Sequence, residues 1–501
     1  MPAVVAPARR AGVRRDASSW GQGGVLRQLS ALDAQFLSYE SDINVANIGG
    51  LSIVDGQLSR GDFAELAEER CAVTPTLRQR LMTVPLGLDR PYWVEDEAVD
   101  LGYHVRELAL PRPGNDHQLA EQVAWLHEQR LDRRYPLWEV YVISGLRGRR
   151  AAVYVKAHHA TVDGVGGAVL LNAFMDREPS PKRQQPGPRA EPDRVPPRAE
   201  VLARSVAGII AHPARLTRSV VETVPYLDEI PLVSQLPGAV PVSRAVRSVT
   251  RRLAGLEGVP ELPSLAVPWT PFNGPISRHR RFAFADLSLD EVRSIKNAFG
   301  VTVNDVVVDL ASTAVRRWLI GHDALPEEPL VACVPFALRK KGVEETGNRV
   351  TVMLTSLETQ IADPRERLQA IHEAMQKIKD RFDLAPAQWL QGLCESVPAA
   401  LTGLADRAFF GLLARGCPAV NLTVSNVTGP RIPLYVCGRE VLAQYPVSLI
   451  NDAGGGLNIT AFSYNGELGM GIVVDRAMVP DVWHIADYLH DALEELKSLV
   501  G

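Results

Sequence analysis

Between residues 177 and 200 the chain reads REPSPKRQQPGPRAEPDRVPPRAE, and this stretch constrains the fold more than any other. Its prolines withhold backbone donors, and its arginines and glutamates stay solvated. Neither a packed helix nor a sheet strand runs through such a sequence. It therefore splits the 501 residues into blocks that must each build a core. Domains hold about 100–200 residues, so each block is long enough to do so.

The pattern on either side predicts the same kind of element on both. SALDAQFLSYE starts an ordered region near Leu29 as a helix capped by Ser30. NIGGLSIVDG reads as a strand and turn, and residues 118–133 carry helical periodicity. WEVYVISGL and AAVYVKA are apolar, β-branched runs that read as neighbouring strands, with AVLLNAFMD as a helix beyond them. In the second block RRFAFADLSL reads as a strand, and SLDEVRSIKNAFG as a helix with Ser288 as cap and Gly300 as terminator. A long helix follows in VTVNDVVVDLASTAVRRWLIG. LVACVPFAL, RVTVMLTSL, AVNLTVSNV and GLNITAFSYNGELGMGIVVD are strands, the last a hairpin turning at Asn465–Gly466. Strands and helices in mixed order predict two α/β sandwich domains. The divisions are a basic tail over 1–28, a first domain over 29–176, a linker over 177–265 and a second domain over 266–501. The linker includes a basic amphipathic segment, VLARSVAGIIAHPARLTRSVVETV, which reads as a surface helix pair or as a helix lying on a membrane.

A net charge of −4 argues against nucleic acid as a partner. The five cysteines are scattered and form no CxxC pair, which points away from zinc or a disulfide framework and toward a reducing, cytoplasmic compartment. The first residues lack the apolar core of a signal peptide, and no uninterrupted apolar run is long enough to span a bilayer.

Chemistry concentrates in AHHATVDGVGG, residues 157–167. A neutral histidine at a strand end can take a proton from an alcohol, amine or thiol near neutral pH. The glycines that follow allow close backbone approach and leave room for a substrate. Other readings stand beside this one. One histidine could be a bonded core residue. Adjacent histidines in extended backbone point to opposite faces, so a single metal ion would rarely take both. No GxSxG elbow supplies a nucleophile for a covalent intermediate.

HHATVDG fits the HHxxxDG motif of acyl-CoA-dependent acyltransferases and condensation domains. PLW at Pro136–Trp138, Asn304–Asp305 in TVNDVVVDLA, SNVTGP at Ser425–Pro430, LSALDAQFLSYE, PTLRQRL and LGYHVRELALPRPG accompany it in order. Together these resemble the bacterial wax ester synthase/diacylglycerol acyltransferase family, from Leu29 to the C-terminus with the proline-rich linker left out. The resemblance implies two chloramphenicol-acetyltransferase-like domains with a tunnel at their interface. It implies long-chain acyl transfer from acyl-CoA to diacylglycerol or a fatty alcohol, with no metal or bound cofactor. It also implies peripheral contact with the inner membrane or lipid droplets, where such acceptors reside.

By the same resemblance His159 is the general base and His158 supports the loop. Asp163 is structural, paired with Arg339, and Gly164 and Gly167 leave space for the thioester. Asn304, which by its position before a helix reads as an N-cap, gains a second reading as oxyanion donor, with Asp305 shaping the site. Pro136 sets a turn, Trp138 packs, and Ser425, Asn426, Gly429 and Pro430 form a loop closing the tunnel. The long linker and the basic tail depart from the family pattern. Two rivals remain: a condensation-type enzyme using a carrier-bound thioester, and an inactive relative that binds lipid surfaces.

Overall fold

The computed structural model describes residues 27–85, 88–96, 98–161, 173–181, 197, 200, 241, 267–337, 350–384 and 418–500. Its frame is two six-stranded mixed sheets. The first-block strands are β1 (Asn47–Val54), β2 (Gln79–Met82), β3 (Tyr92–Glu95), β4 (Val105–Ala109), β5 (Trp138–Ser144) and β6 (Ala151–His158). The second-block strands are β7 (Arg280–Ser288), β8 (Val331–Ala337), β9 (Val350–Ser356), β10 (Leu422–Thr428), β11 (Tyr435–Val436), β12 (Arg439–Val447), β13 (Leu457–Tyr464) and β14 (Glu467–Asp475). The helices are α1 (Ala31–Tyr39), α2 (Arg60–Val73), α3 (Leu101–His104), α4 (Asp116–His127), α5 (Leu289–Phe299), α6 (Val303–Gly321), α7 (Pro364–Leu384) and α8 (Val482–Ser498).

The first sheet runs β11-β12-β1-β6-β5-β4 and the second β7-β14-β13-β10-β8-β9, with β2 and β3 forming a separate pair. The division at residue 266 therefore fails for two strands. β11 and β12 belong to the second block in sequence but complete the first sheet, where β12 pairs antiparallel with β1, Gly49 opposite Val447. Contact between the sheets is close enough to require glycine. A Cβ on Gly471 of β14 would collide with the Pro446 carbonyl oxygen, and one on Gly469 with that of Gln444. Around this crossing Leu51, Tyr141 and Tyr154 of the first sheet share an apolar cluster with Phe282, Phe284 and Val473 of the second.

Local signals place most elements. Ser30 caps α1 through the Asp33 N–H, and Ser288 caps α5 through that of Glu291. Gly300 closes α5 in the left-handed region. Asn465 and Gly466 both take positive φ in the β13–β14 turn, as a type I′ turn requires. α4 starts earlier and stops at His127, because Asn115 and Gln118 close a capping box ahead of it. Residues 173–176 form a turn and an isolated bridge from Asp176 to Tyr435 instead of continuing a helix. α6 is the centre of the second core: Val306, Val307, Leu310, Ala311, Ala314 and Val315 are fully buried against sheet and helices. Each buried Val or Leu contributes about 1.5–3 kcal/mol.

Candidate active site

The histidine pair sits where β6 ends. His158 is the last residue of the strand, opposite Asn47 of β1, and its N–H bonds the Leu137 carbonyl at 3.0 Å. A single 3₁₀ turn, His159–Thr161, follows, and the His159 N–H bonds the Ala46 carbonyl at 2.8 Å. Strand alternation puts His158 on the face of Tyr154 and Lys156, which looks toward α4. The turn then carries His159 off that face.

The two rings have opposite fates. His158 is buried. Its Nδ1 accepts the Ala160 N–H at 3.0 Å, so the proton of the neutral ring is assigned to Nε2. Nε2 points at Glu40 Oε1, 3.4 Å away, an ion-pair distance rather than a tight hydrogen bond. Burial holds the His158 pKa below its ordinary value, against the pull of Glu40. With the Nδ1 lone pair taken by Ala160 and the proton on Nε2 facing Glu40, this ring has no lone pair left for chemistry.

Among the described residues no polar group bonds the His159 ring. Phe36 of α1 stacks on its face, centroids 3.9 Å apart and planes 21° from parallel. Its Nδ1 is buried and bonds no described group, while the residue keeps part of its surface open. Burial, with His158 adding a like charge, pushes its pKa down to about 4. The imidazole is therefore neutral near pH 7 and available as a base.

α1 supplies what the sequence pattern could not reveal. Phe36 covers one histidine and Glu40, one residue past the helix end, meets the other. Glu40 also accepts from Arg133 Nη2 at 2.7 Å and Arg130 Nη2 at 3.5 Å. Burial works to raise its pKa, but His158 and Arg133 outweigh it and hold the carboxyl at about 2. Nothing in the sequence links Glu40 to a histidine over a hundred residues away; only strand pairing brings them together.

Among the other site candidates, Trp138 is buried, donates Nε1–H to the Leu77 carbonyl at 2.8 Å and stacks on His104. Pro136 makes the tight turn before it, its carbonyl accepting the Trp138 N–H at 2.9 Å. Asn304 is not the N-cap of α6. That role falls to Thr302, which closes a capping box with Asp305, because Thr at N-cap and Asp three residues on satisfy two orphan donors at once. Asp305 is fully buried, its Oδ2 2.6 Å from His372 Nδ1. Ser425 and Asn426 do not lie in a loop. They belong to β10, because the β-branched run there pairs in parallel with β13, Ser425 opposite Thr460. Gly429 follows β10 where a Cβ would strike the Ser463 carbonyl and the Phe462 ring. Asn304 and Asn426 share a cleft whose described lining includes neither histidine. Asp163, Gly164, Gly167 and Arg339 lie outside the described residues, as do the amphipathic segment and most of the linker. Among the described residues no cluster of three or more His, Cys, Asp or Glu side chains is placed to hold a metal.

Comparison with known proteins follows the same line. Residues 29–307 match the wax ester synthase/diacylglycerol acyltransferase catalytic domain, and residues 346–497 the C-terminal domain of that family. A putative diacylglycerol O-acyltransferase of Mycobacterium tuberculosis is 35% identical over 478 residues, covering 94% of this chain and 90% of that protein. The O-acyltransferase WSD of Acinetobacter baylyi is 30% identical over 489 residues, covering 95% and 98%. The solved wax ester synthase/diacylglycerol acyltransferase from Marinobacter aquaeolei VT8 superposes with a TM-score of 0.66 at 29% identity, covering 95% of this chain and all of that one. A starter condensation domain of rhizomide synthetase shares the two-sheet fold at 14% identity and a TM-score of 0.52. The architecture is the chloramphenicol-acetyltransferase-like one.

Proposed function

The chain belongs to the wax ester synthase/diacylglycerol acyltransferase family, and from that premise we propose that it is an O-acyltransferase in which His159 is the general base. His159 takes the proton of an acceptor hydroxyl as that oxygen attacks the carbonyl of a long-chain acyl-CoA. The tetrahedral oxyanion collapses, the C–S bond breaks, and the imidazolium returns its proton to the thiolate. The products are an ester and free CoA. Base catalysis of this kind contributes about 10²–10⁴-fold.

One observation carries the assignment: of two adjacent imidazoles, His158 is bonded at Nδ1 and faces a carboxylate at Nε2, while His159 is neutral and its Nδ1 bonds no described group. A base held near pH 4 is weak at rest. The developing oxyanion raises its affinity for the proton during the reaction, in a site where the dielectric is low. The thioester is already activated, so the reaction asks for no metal or resident cofactor.

Diacylglycerol is the favoured acceptor, after the names of the mycobacterial relatives, with fatty alcohols as second substrates, after the solved Marinobacter enzyme. Both are lipids, so the protein works at a membrane or lipid-droplet surface on the cytoplasmic side. No single described helix is long and apolar enough to cross a membrane.

The test is thiol release from palmitoyl-CoA by wild type and His159→Ala, with dioleoylglycerol, hexadecanol or no acceptor. Acceptor-dependent release that is lost in the variant is the expected result. Equal release by both proteins refutes the base assignment. No acceptor-dependent release refutes the acyl-transfer reading.

A further inference from the structure

A second feature of the fold, away from the histidines, has no role in proton transfer. β10 and β13 run parallel, and their carboxyl ends open on a cleft of about 740 Å³ beside the first turn of α6. Four cations line it: Arg293, Lys296, Lys379 and Arg431. No carboxylate is among its described lining residues, and Asn304 and Asn426 add amide donors. The cations come from α5, α7 and the segment after β10, which are separate in sequence, so one helix face does not explain their convergence.

Their existing partners leave them available. Arg293 bonds the exposed Asp290 at 2.8 Å, and Lys296 the Asn297 side chain at 2.7 Å. Lys379 stands 4.0 Å from Asp305, whose other oxygen is taken by His372 and the Thr302 N–H. Arg431 bonds no described residue. The N-terminal end of the 19-residue α6 contributes the positive end of its dipole. The cleft lies beyond the carboxyl ends of the parallel pair β10 and β13.

The position relative to the histidines matters too. In the middle of β13, Thr460 bonds Ser448 at 2.9 Å, and the Ser448 carbonyl meets His127 at 3.1 Å. The His127 carbonyl in turn binds Asn47, the strand partner of His158. The cleft begins at Ser463. The described lining of the cleft includes neither His158 nor His159, so histidine turn and cleft are separate places. A ligand using both needs an anionic end and a reactive end joined by a spacer.

We propose that the cleft lined by Arg293, Lys296, Lys379 and Arg431 holds the phosphate groups of the thioester donor, with the donor's extended arm reaching back toward His159. The proposal rests on the acyl-CoA reading above. It assigns donor recognition to the second domain and leaves the acceptor without a charged subsite there.

The experiment compares wild type with Lys296→Ala/Arg431→Ala on two donors, palmitoyl-CoA and the palmitoyl thioester of N-acetylcysteamine, which lacks phosphates. Binding of adenosine 3′,5′-bisphosphate is measured on the same full chains by calorimetry. Loss of a charge-assisted bond costs roughly tenfold or more. The expected result is a KM for palmitoyl-CoA raised about tenfold or more, with an unchanged KM for the truncated thioester and bisphosphate binding weakened in parallel. An unchanged KM for palmitoyl-CoA, or an equal rise for both donors, overturns the proposal. If the wild type turns over neither thioester, the acyl-transfer reading fails, and the bisphosphate titration still decides the cleft. Vesicles containing phosphatidate separate the other phosphate source. Loss of vesicle binding with bisphosphate binding intact would assign the cleft to a lipid headgroup and overturn the proposal.

Discussion

Replacing Glu40 with glutamine removes the charge that faces His158 while keeping the size of the side chain. Glu40 is buried, and its partners are His158 Nε2 at 3.4 Å, Arg133 Nη2 at 2.7 Å and Arg130 Nη2 at 3.5 Å. These hold its carboxyl at about 2 instead of 4.5. At about 1.36 kcal/mol per pH unit, that gap is worth about 3 kcal/mol to the folded state. The arginine side chains are 41% and 34% exposed, so water takes over part of their charge when the carboxylate goes. The expected loss at pH 7 is therefore about 2 kcal/mol. The pH dependence has a definite sign. A depressed carboxyl stabilises the fold above pH 4.5 and loses that contribution as pH falls from 4.5 toward 2. Urea unfolding of wild type and Glu40→Gln at pH 7 and pH 3.5 measures both. The gap between the proteins should narrow at pH 3.5. A loss below about 0.5 kcal/mol at pH 7, the range of an ordinary surface change, would refute the claim that the carboxylate anchors the histidine turn.

The acid limb of kcat/KM should fall near pH 4, because His159 must be neutral to act and is protonated only below that value; a limb near 6.5 would show a solvated ring. Phe36→Ala removes the stacked ring and should move the limb upward toward 6.5, read from the same profile. Gly471→Val drives a side chain into the Pro446 carbonyl where the two sheets meet, so it should cost about 1–3 kcal/mol by denaturant midpoint. Arg367→Met strands Asp309, fully buried and 3.2 Å from the Arg367 Nε, and should cost about 3–5 kcal/mol at pH 8. Even beside that arginine, burial pushes Asp309 up to about 7, so the cost should ease at pH 5, where the acid is neutral.

What the sequence determined by itself is local, and it is local because the physics is. Caps at Ser30 and Ser288, the stop at Gly300 and the turn at Asn465–Gly466 depend on side chains within a few residues of the backbone they satisfy. Strand periodicity likewise sets the face that His158 takes at the end of β6, while His159 already belongs to the turn that follows. HHATVDG marked where chemistry concentrates, and the accompanying motifs pointed to the family.

Tertiary structure decided the rest, since each item depends on groups distant in sequence. β12 reads as an ordinary strand of the second block, yet its partner is β1, because pairing is set by which apolar face and which free sheet edge it meets. Asn304 loses the cap to Thr302 through a two-residue offset that only the completed capping box resolves. Which histidine is free also lies beyond local pattern. HHA reads the same in either case; the difference is Glu40 beside one ring and Phe36 over the other, both delivered by α1 from the opposite end of the domain. Burial then fixes the protonation states, and burial is a property of the folded whole.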